Sequence, residues 1–180
     1  NLIADVLRAA ASKSDQAVAA IFNSGSIRAS INAGDVTFEN ALAGLPFGNT
    51  LAVVELKGEE LVAALDHGLF RPGEGAFPQV AGLKLVYCAA VSCPAALRSV
   101  GRVTALTVNG VPVDLAATYR VGVNSFMVSG GDAYTLLKDA CARPNGYCRD
   151  TGVLELDLLV EEFKTRSPVV RRVEGRIVAQ

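Results

Sequence analysis

Apolar residues in the first part of the chain recur three and four positions apart. Leu2, Ile3, Val6, Leu7 and Ala10 predict an amphipathic helix over residues 1–13. Residues 17–22 form a short, continuously apolar run, the pattern of a buried strand, which breaks into the polar turn N-S-G-S-I-R at 23–28. After a second turn at Gly34-Asp35, Thr37 is placed to cap a short helix over 38–43. L-P-F-G-N at 45–49 reads as a rigid loop, because proline fixes φ and Gly-Asn favours a turn. A strand is expected over 51–56, then an amphipathic helix after Lys57-Gly58 carrying Leu61, Leu65 and Leu69.

Residues 71–79, R-P-G-E-G-A-F-P-Q, predict an irregular loop, and 83–88 a strand. Asn109-Gly110, between apolar runs at 102–108 and 111–113, is a hairpin signal. A strand over 119–124 leads into N-S-F-M-V-S-G-G-D at 124–132, and a helix follows over 134–140. Asp150 or Thr151 is expected to cap a last long helix reaching about residue 164, with one or two strands closing the chain over 169–179. At 180 residues, without internal repeats or a low-complexity linker, this pattern predicts one α/β domain of mixed strand and helix order.

Composition narrows the class. The chain is 51% hydrophobic and carries 17 basic and 18 acidic side chains, a globular protein without the clustered basic face a nucleic acid would require. Its densest basic segment, Arg166, Arg171, Arg172 and Arg176, is interleaved with Glu161, Glu162 and Glu174 and reads as a solvated edge. No apolar run reaches the roughly 20 residues of a membrane helix, and no signal peptide is visible. The chain begins within its first predicted helix, as an excised domain would.

The cysteines form two close pairs, Cys88/Cys93 and Cys141/Cys148, each bracketing turn-forming residues. Unequal spacings and a single histidine do not resemble a zinc site. Two local disulfides, and with them an extracytoplasmic compartment, are the preferred reading; the other is four reduced thiols in the cytosol.

Hydrolytic chemistry is hard to build from these residues. His67 is the only histidine and lies on a helix, so no two-metal centre can be assembled. There is no G-x-S-x-G elbow, no P-loop and no G-x-G-x-x-G. Glu59-Glu60 and Glu161-Glu162 are neighbours on helices and point apart, so neither pair can flank one bond.

What the loops do carry is recognition chemistry. Phe47 and Phe126 are isolated aromatics in loops beside predicted strands; each is either a core residue or one face for a flat ring. Asn23 and Asn49 offer a donor and an acceptor, Arg28 could meet an anionic group, and Asp132 could accept from paired hydroxyls. Gly75 sits in the glycine-rich segment 73–77, where a backbone can approach a ligand closely.

These motifs resemble the C-terminal domain of the 5′-nucleotidase family, which includes UDP-sugar hydrolases and 2′,3′-cyclic-nucleotide phosphodiesterases. The resemblance runs in family order through N-L-I-A-D (1–5), N-S-G-S-I-R (23–28), L-P-F-G-N (45–49), L-K-G-E-E-L (56–61), G-A-F-P-Q-V-A-G-L (75–83), N-S-F-M-V-S-G-G-D (124–132) and G-R-I (175–177). It implies a layered α/β/β/α fold for residues 1–180, with no metal or other cofactor held by this domain. Two divalent metal ions and a catalytic His-Asp pair would belong to an N-terminal metallophosphoesterase domain in cis, and this domain alone would be inactive.

By motif position, Phe47 and Phe126 would sandwich the base, with Asn49 at its edge and Gly75 bordering it. Asp132 would hold the ribose hydroxyls, and Arg28, with Asn23 nearby, would contact ribose or phosphate. Ser26 stands where the family usually has glycine, and Ala81 where it has serine or glycine. A further phosphate-binding arginine of some members would fall before Asn1. A rival reading from another class keeps the same loops in a non-catalytic nucleoside-binding or surface-interaction module.

Overall fold

The computed structural model describes residues 1–70, 74–89, 93, 102–170 and 172–180. Residues 71–73 of the expected loop, most of the segment between Cys88 and Cys93, and Arg171 of the basic edge lie outside the described residues.

The first helix, α1 (Leu2–Asp15), turns Ala4, Val6, Leu7 and Ala11 inward, as its periodicity predicts. The short apolar run is strand β1 (Ala19–Asn23), buried at every position. Helix α2 (Phe38–Gly44) starts at Thr37, whose hydroxyl accepts from the Asn40 backbone N–H while the Asn40 side chain accepts from the Thr37 N–H. Strand β2 (Thr50–Lys57) and helix α3 (Gly58–Leu69) follow, with the Glu60 carboxylate accepting from the Lys57 N–H.

The remaining strands are β3 (Pro78–Ala81), β4 (Leu83–Tyr87), β5 (Val103–Val108), β6 (Val111–Pro112), β7 (Thr118–Asn124), β8 (Cys148–Leu154) and β9 (Ile177–Ala179). The remaining helices are α4 (Ser125–Val128), α5 (Thr135–Cys141) and α6 (Glu155–Arg166). Asn109 and Gly110 both take positive φ, the conformation an Asn-Gly hairpin requires, and join β5 to β6.

Two sheets form, in the orders β3-β1-β7-β2-β8 and β6-β5-β4-β9. One apolar cluster joins α1, α2 and α6 to one face of the five-stranded sheet through Leu7, Phe22, Leu45, Val53 and Leu159. The other joins its opposite face to α3, α5 and the four-stranded sheet through Ile21, Val54, Leu65, Leu85 and Leu137. Burying a large aliphatic side chain contributes about 1.5–3 kcal/mol, so these two interfaces dominate the stability. At Gly122 in β7, a Cβ would lie 2.9 Å from that of Ala11, so glycine permits the close approach of α1. The mixed α/β class and the layering of sheets with helices agree with expectation.

The boundaries differ in instructive places. Residues 148–154, expected to lead into and begin the last helix, form β8, and α6 starts only at Glu155. Asp150 does not cap a helix. Its carboxylate accepts from the Gly152 N–H in a local turn, while the Thr151 hydroxyl donates to the Leu51 carbonyl. Pro78, assigned to a loop, opens β3; a proline at the first position of an edge strand removes no necessary ladder bond. Only Ile177–Ala179 forms a closing strand among the described residues, parallel to β4. Both cysteine pairs are disulfides, with Cα atoms 5.0 Å apart at Cys88–Cys93 and 4.9 Å at Cys141–Cys148. Among the described residues, no helix is long and apolar enough to cross a membrane.

Candidate functional site

The strand directions send the loaded loops to one place. β1 and β7 are parallel neighbours, whereas β3 runs antiparallel to β1, and β2 antiparallel to β7 and β8. The ends of β1, β7 and β8 and the starts of β2 and β3 therefore share one edge of the five-stranded sheet. Asn23, Asn124 and Leu154 close strands there, and Asn49 and Phe77 precede strands there.

A cavity of roughly 490 Å³ opens at this edge, lined by Asn23, Arg28, Phe47, Asn49, Gly75, Phe126 and Asp132. All seven residues singled out from the sequence meet in it, together with Gly25 and Ser26. Neither phenylalanine is a core residue: Phe47 is 57% exposed and Phe126 39%. Phe126 projects from the single turn of α4, where the sequence suggested a loop. The Asn124 side chain caps that turn by accepting from the Met127 N–H, and the Ser129 hydroxyl donates to the Phe126 carbonyl. Arg28 lies with its guanidinium carbon 5.8 Å from the Phe47 ring centroid.

Asp132 is held from several sides. It and Ala133 both take positive φ, an uncommon conformation for residues with a Cβ. The Asn23 amide donates to its carboxylate at 2.7 Å, and His67 Nε2 meets its backbone carbonyl at 2.8 Å. Asn23 is itself buried, its amide oxygen accepting from the Ser26 hydroxyl and from the Asn124 amide. Asn23 thus lines the cavity and also supports Asp132, a contact its position in the sequence did not disclose. Ser26 closes a one-turn 3₁₀ helix and feeds the same network.

The loop bearing Gly75 is tied to the 23–26 turn by Ser24 N–H to the Phe77 carbonyl and Gly25 N–H to the Gly75 carbonyl. Beneath it, the Tyr134 hydroxyl donates to the Ala76 carbonyl, and its ring meets His67 edge-on. Burial, reinforced by the charge of Asp132, pushes the Tyr134 phenol well above its ordinary range, so it stays a neutral donor.

One participant went unnoticed in the sequence. Glu155, the first residue of α6, is 1% exposed, and its Oε1 accepts from the Asn49 amide at 3.3 Å. Burial drives its carboxyl up to about 7, against the opposing effect of the Asn49 and Asn124 amides. A glutamate in the first turn of an amphipathic helix is ordinary, so E-L-D-L-L-V gave no sign of it.

Among the described residues, no group of three or more His, Cys, Asp or Glu side chains could hold a metal ion. The arrangement offers stacking faces, amides, a carboxylate and a guanidinium, which is equipment for binding.

Residues 1–139 match the family described as 5′-nucleotidase, C-terminal domain. The chain belongs to this family. Among curated proteins, the 5′-nucleotidase C-terminal domain seen here is 36% identical over 180 residues to the trifunctional nucleotide phosphoesterase protein YfkN of Bacillus subtilis (strain 168), covering 98% of this chain and 12% of YfkN. It is 34% identical over 150 residues to the protein UshA of Salmonella pullorum, covering 83% of this chain and 24% of UshA. Its fold superposes on the crystal structure of a 5′-nucleotidase precursor from Thermus thermophilus with a TM-score of 0.88 and 38% identity, covering 99% of this chain and 34% of that one. The chain thus spans about a third or less of these relatives.

Proposed function

We propose that this chain is the substrate-binding domain of a 5′-nucleotidase-type phosphohydrolase that works outside the cytoplasm. It takes the nucleoside part of a nucleotide, stacks the base between Phe47 and Phe126, and presents the phosphate ester to a di-metal site on an N-terminal domain. The observation that carries this reading is the convergence of seven residues from separate motifs on one cavity, with both aromatics exposed to it. Membership of the family and relatives named as nucleotide phosphoesterases and 5′-nucleotidases support it. The two disulfides, and a relative named as a snake venom 5′-nucleotidase, support the compartment.

In this reading Asp132, preset by Asn23 and His67, accepts from the ribose hydroxyls, and Arg28 meets the ribose or the phosphate. Asn49 addresses the edge of the base. The metal ions of the N-terminal domain would supply the activation of water and the neutralisation of charge at phosphorus. This chain contributes position, which lowers the barrier by fixing the ester relative to that centre.

Calorimetric titration of the 180-residue chain with adenosine and AMP, beside Phe126→Ala, tests the proposal. Two stacks and a few hydrogen bonds, less the cost of association, give a Kd of roughly millimolar to tens of micromolar. Saturable binding that disappears in the variant is expected. Equal binding by both proteins would remove Phe126 from the site.

A further inference from the structure

Asn49 and Glu155 are joined twice. The Glu155 backbone N–H donates to the Asn49 carbonyl at 3.0 Å, and the Asn49 amide nitrogen donates to Glu155 Oε1. The loop that carries Phe47 is therefore latched to the head of α6. Glu155 is buried, its Oε2 has no hydrogen-bond partner among the described residues, and the residue does not itself line the cavity. Such a carboxylate loses hydration with little in return, a cost that a merely structural position would avoid.

Of the two amides that oppose its burial, that of Asn49 presents one particular end to it. A carboxylate can only accept, so it obliges Asn49 to turn its NH₂ group inward. The carboxamide oxygen, which bonds to no described residue, is then the end left for the cavity that Asn49 lines.

We propose that Glu155 is the specificity-positioning residue of this site, fixing Asn49 as a hydrogen-bond acceptor and so selecting bases that present an N–H group to it. The inference rests on the nucleoside reading above and narrows it: an aminopurine such as adenine is favoured over a purine of the same stacking area without the amine. A protonated Glu155 can donate as well as accept, and so releases the constraint on Asn49. With its carboxyl raised to about 7, that release falls near neutrality.

The elements packed against α6 carry Asp5, Arg8, Lys13 and Asp15 on α1, Glu39 on α2, and Arg149 and Asp150 on β8. None of these charges contributes to the Glu155 shift, which arises from burial and the two amides.

The test is calorimetry of the 180-residue chain with adenosine and with purine riboside, which lacks the exocyclic amine, at about pH 8.5 and about pH 5.5. Neither base titrates in that window. One hydrogen bond corresponds to about a threefold to tenfold preference for adenosine at the higher pH. The preference should shrink to within about twofold at the lower pH.

Glu155→Gln should give a preference that no longer depends on pH. Glu155→Leu, of similar volume, should bring it near unity while purine riboside binds as before. A preference that ignores pH in the wild type, or survives unchanged in Glu155→Leu, overturns the inference. Equal binding of both nucleosides by the wild type, still lost in Phe126→Ala, overturns it while leaving the base clamp standing. No binding of either nucleoside overturns both.

Discussion

Gly131 lies against the ring of Phe126 so closely that a Cβ there would fall 2.5 Å from the ring's edge atoms. Its φ is ordinary, so its value is space alone, and alanine would push the ring out of its present position. Gly131→Ala is expected to weaken adenosine binding about tenfold, the size of a partly lost stack, while shifting Tm by less than about 2 °C. Calorimetry and a thermal melt on the same preparation check both halves. An affinity unchanged by the substitution would mean that the ring's position does not matter to the ligand. The sequence made Phe126, Gly131 and Asp132 legible as a group because they are neighbours in one motif. Asn23 was legible as a member of the cavity, though not as the support of Asp132, since that hydrogen bond spans 109 positions. Glu155 was illegible because its partner Asn49 is equally remote and its own neighbourhood resembles any helix start.

Helices were read well where an apolar stripe faced one layer, as in α1 and α3, and strands where both faces are buried, as in β1 and β2. The reading failed at β8, an edge strand with no fully buried residue, whose exposed positions fall in the adjacent pairs Arg149/Asp150 and Gly152/Val153. Neither periodicity nor composition marks such a strand; it exists because β2 offers a free edge, with the register slipping between Thr50 and Ala52. Gly152 has a φ of +72°, and a Cβ there would meet nothing within 4 Å. Its substitution therefore isolates backbone strain from packing. Gly152→Ala should cost about 1 kcal/mol in urea denaturation, and Gly152→Asn, which tolerates the left-handed region, less. Equal stability of all three proteins would show that this turn relaxes freely. The disulfide between Cys141 and Cys148 closes the loop just before this strand, so β8 is entered from a fixed point.

At the scale of the whole molecule, two buried carboxyl groups act on stability in opposite directions. Asp15, at the end of α1, joins that helix to Arg149 of β8 and to Tyr147 just before it. Burial pushes its carboxyl up, but the hydrogen bonds of Ser14, Tyr147 and Arg149 and the Arg149 charge outweigh it, bringing it from 3.8 to about 2. Its contribution is therefore complete above about pH 4 and disappears as pH falls toward 2, a loss of roughly 1–2 kcal/mol. Glu155 works the other way. Raised from 4.5 to about 7, it binds a proton more tightly in the folded state, so stability declines as pH rises from 4.5 to 7, by up to about 3 kcal/mol. The combined profile should peak near about pH 4–5, below the usual range for a globular domain. Urea midpoints from about pH 2 to about pH 9 check this. Glu155→Gln should flatten the alkaline side without altering the acid side, and Asp15→Asn should do the reverse. If Glu155→Gln proves more stable than the wild type at about pH 8 and also loses the pH response of its base preference, one buried charge both destabilises the fold and orients Asn49.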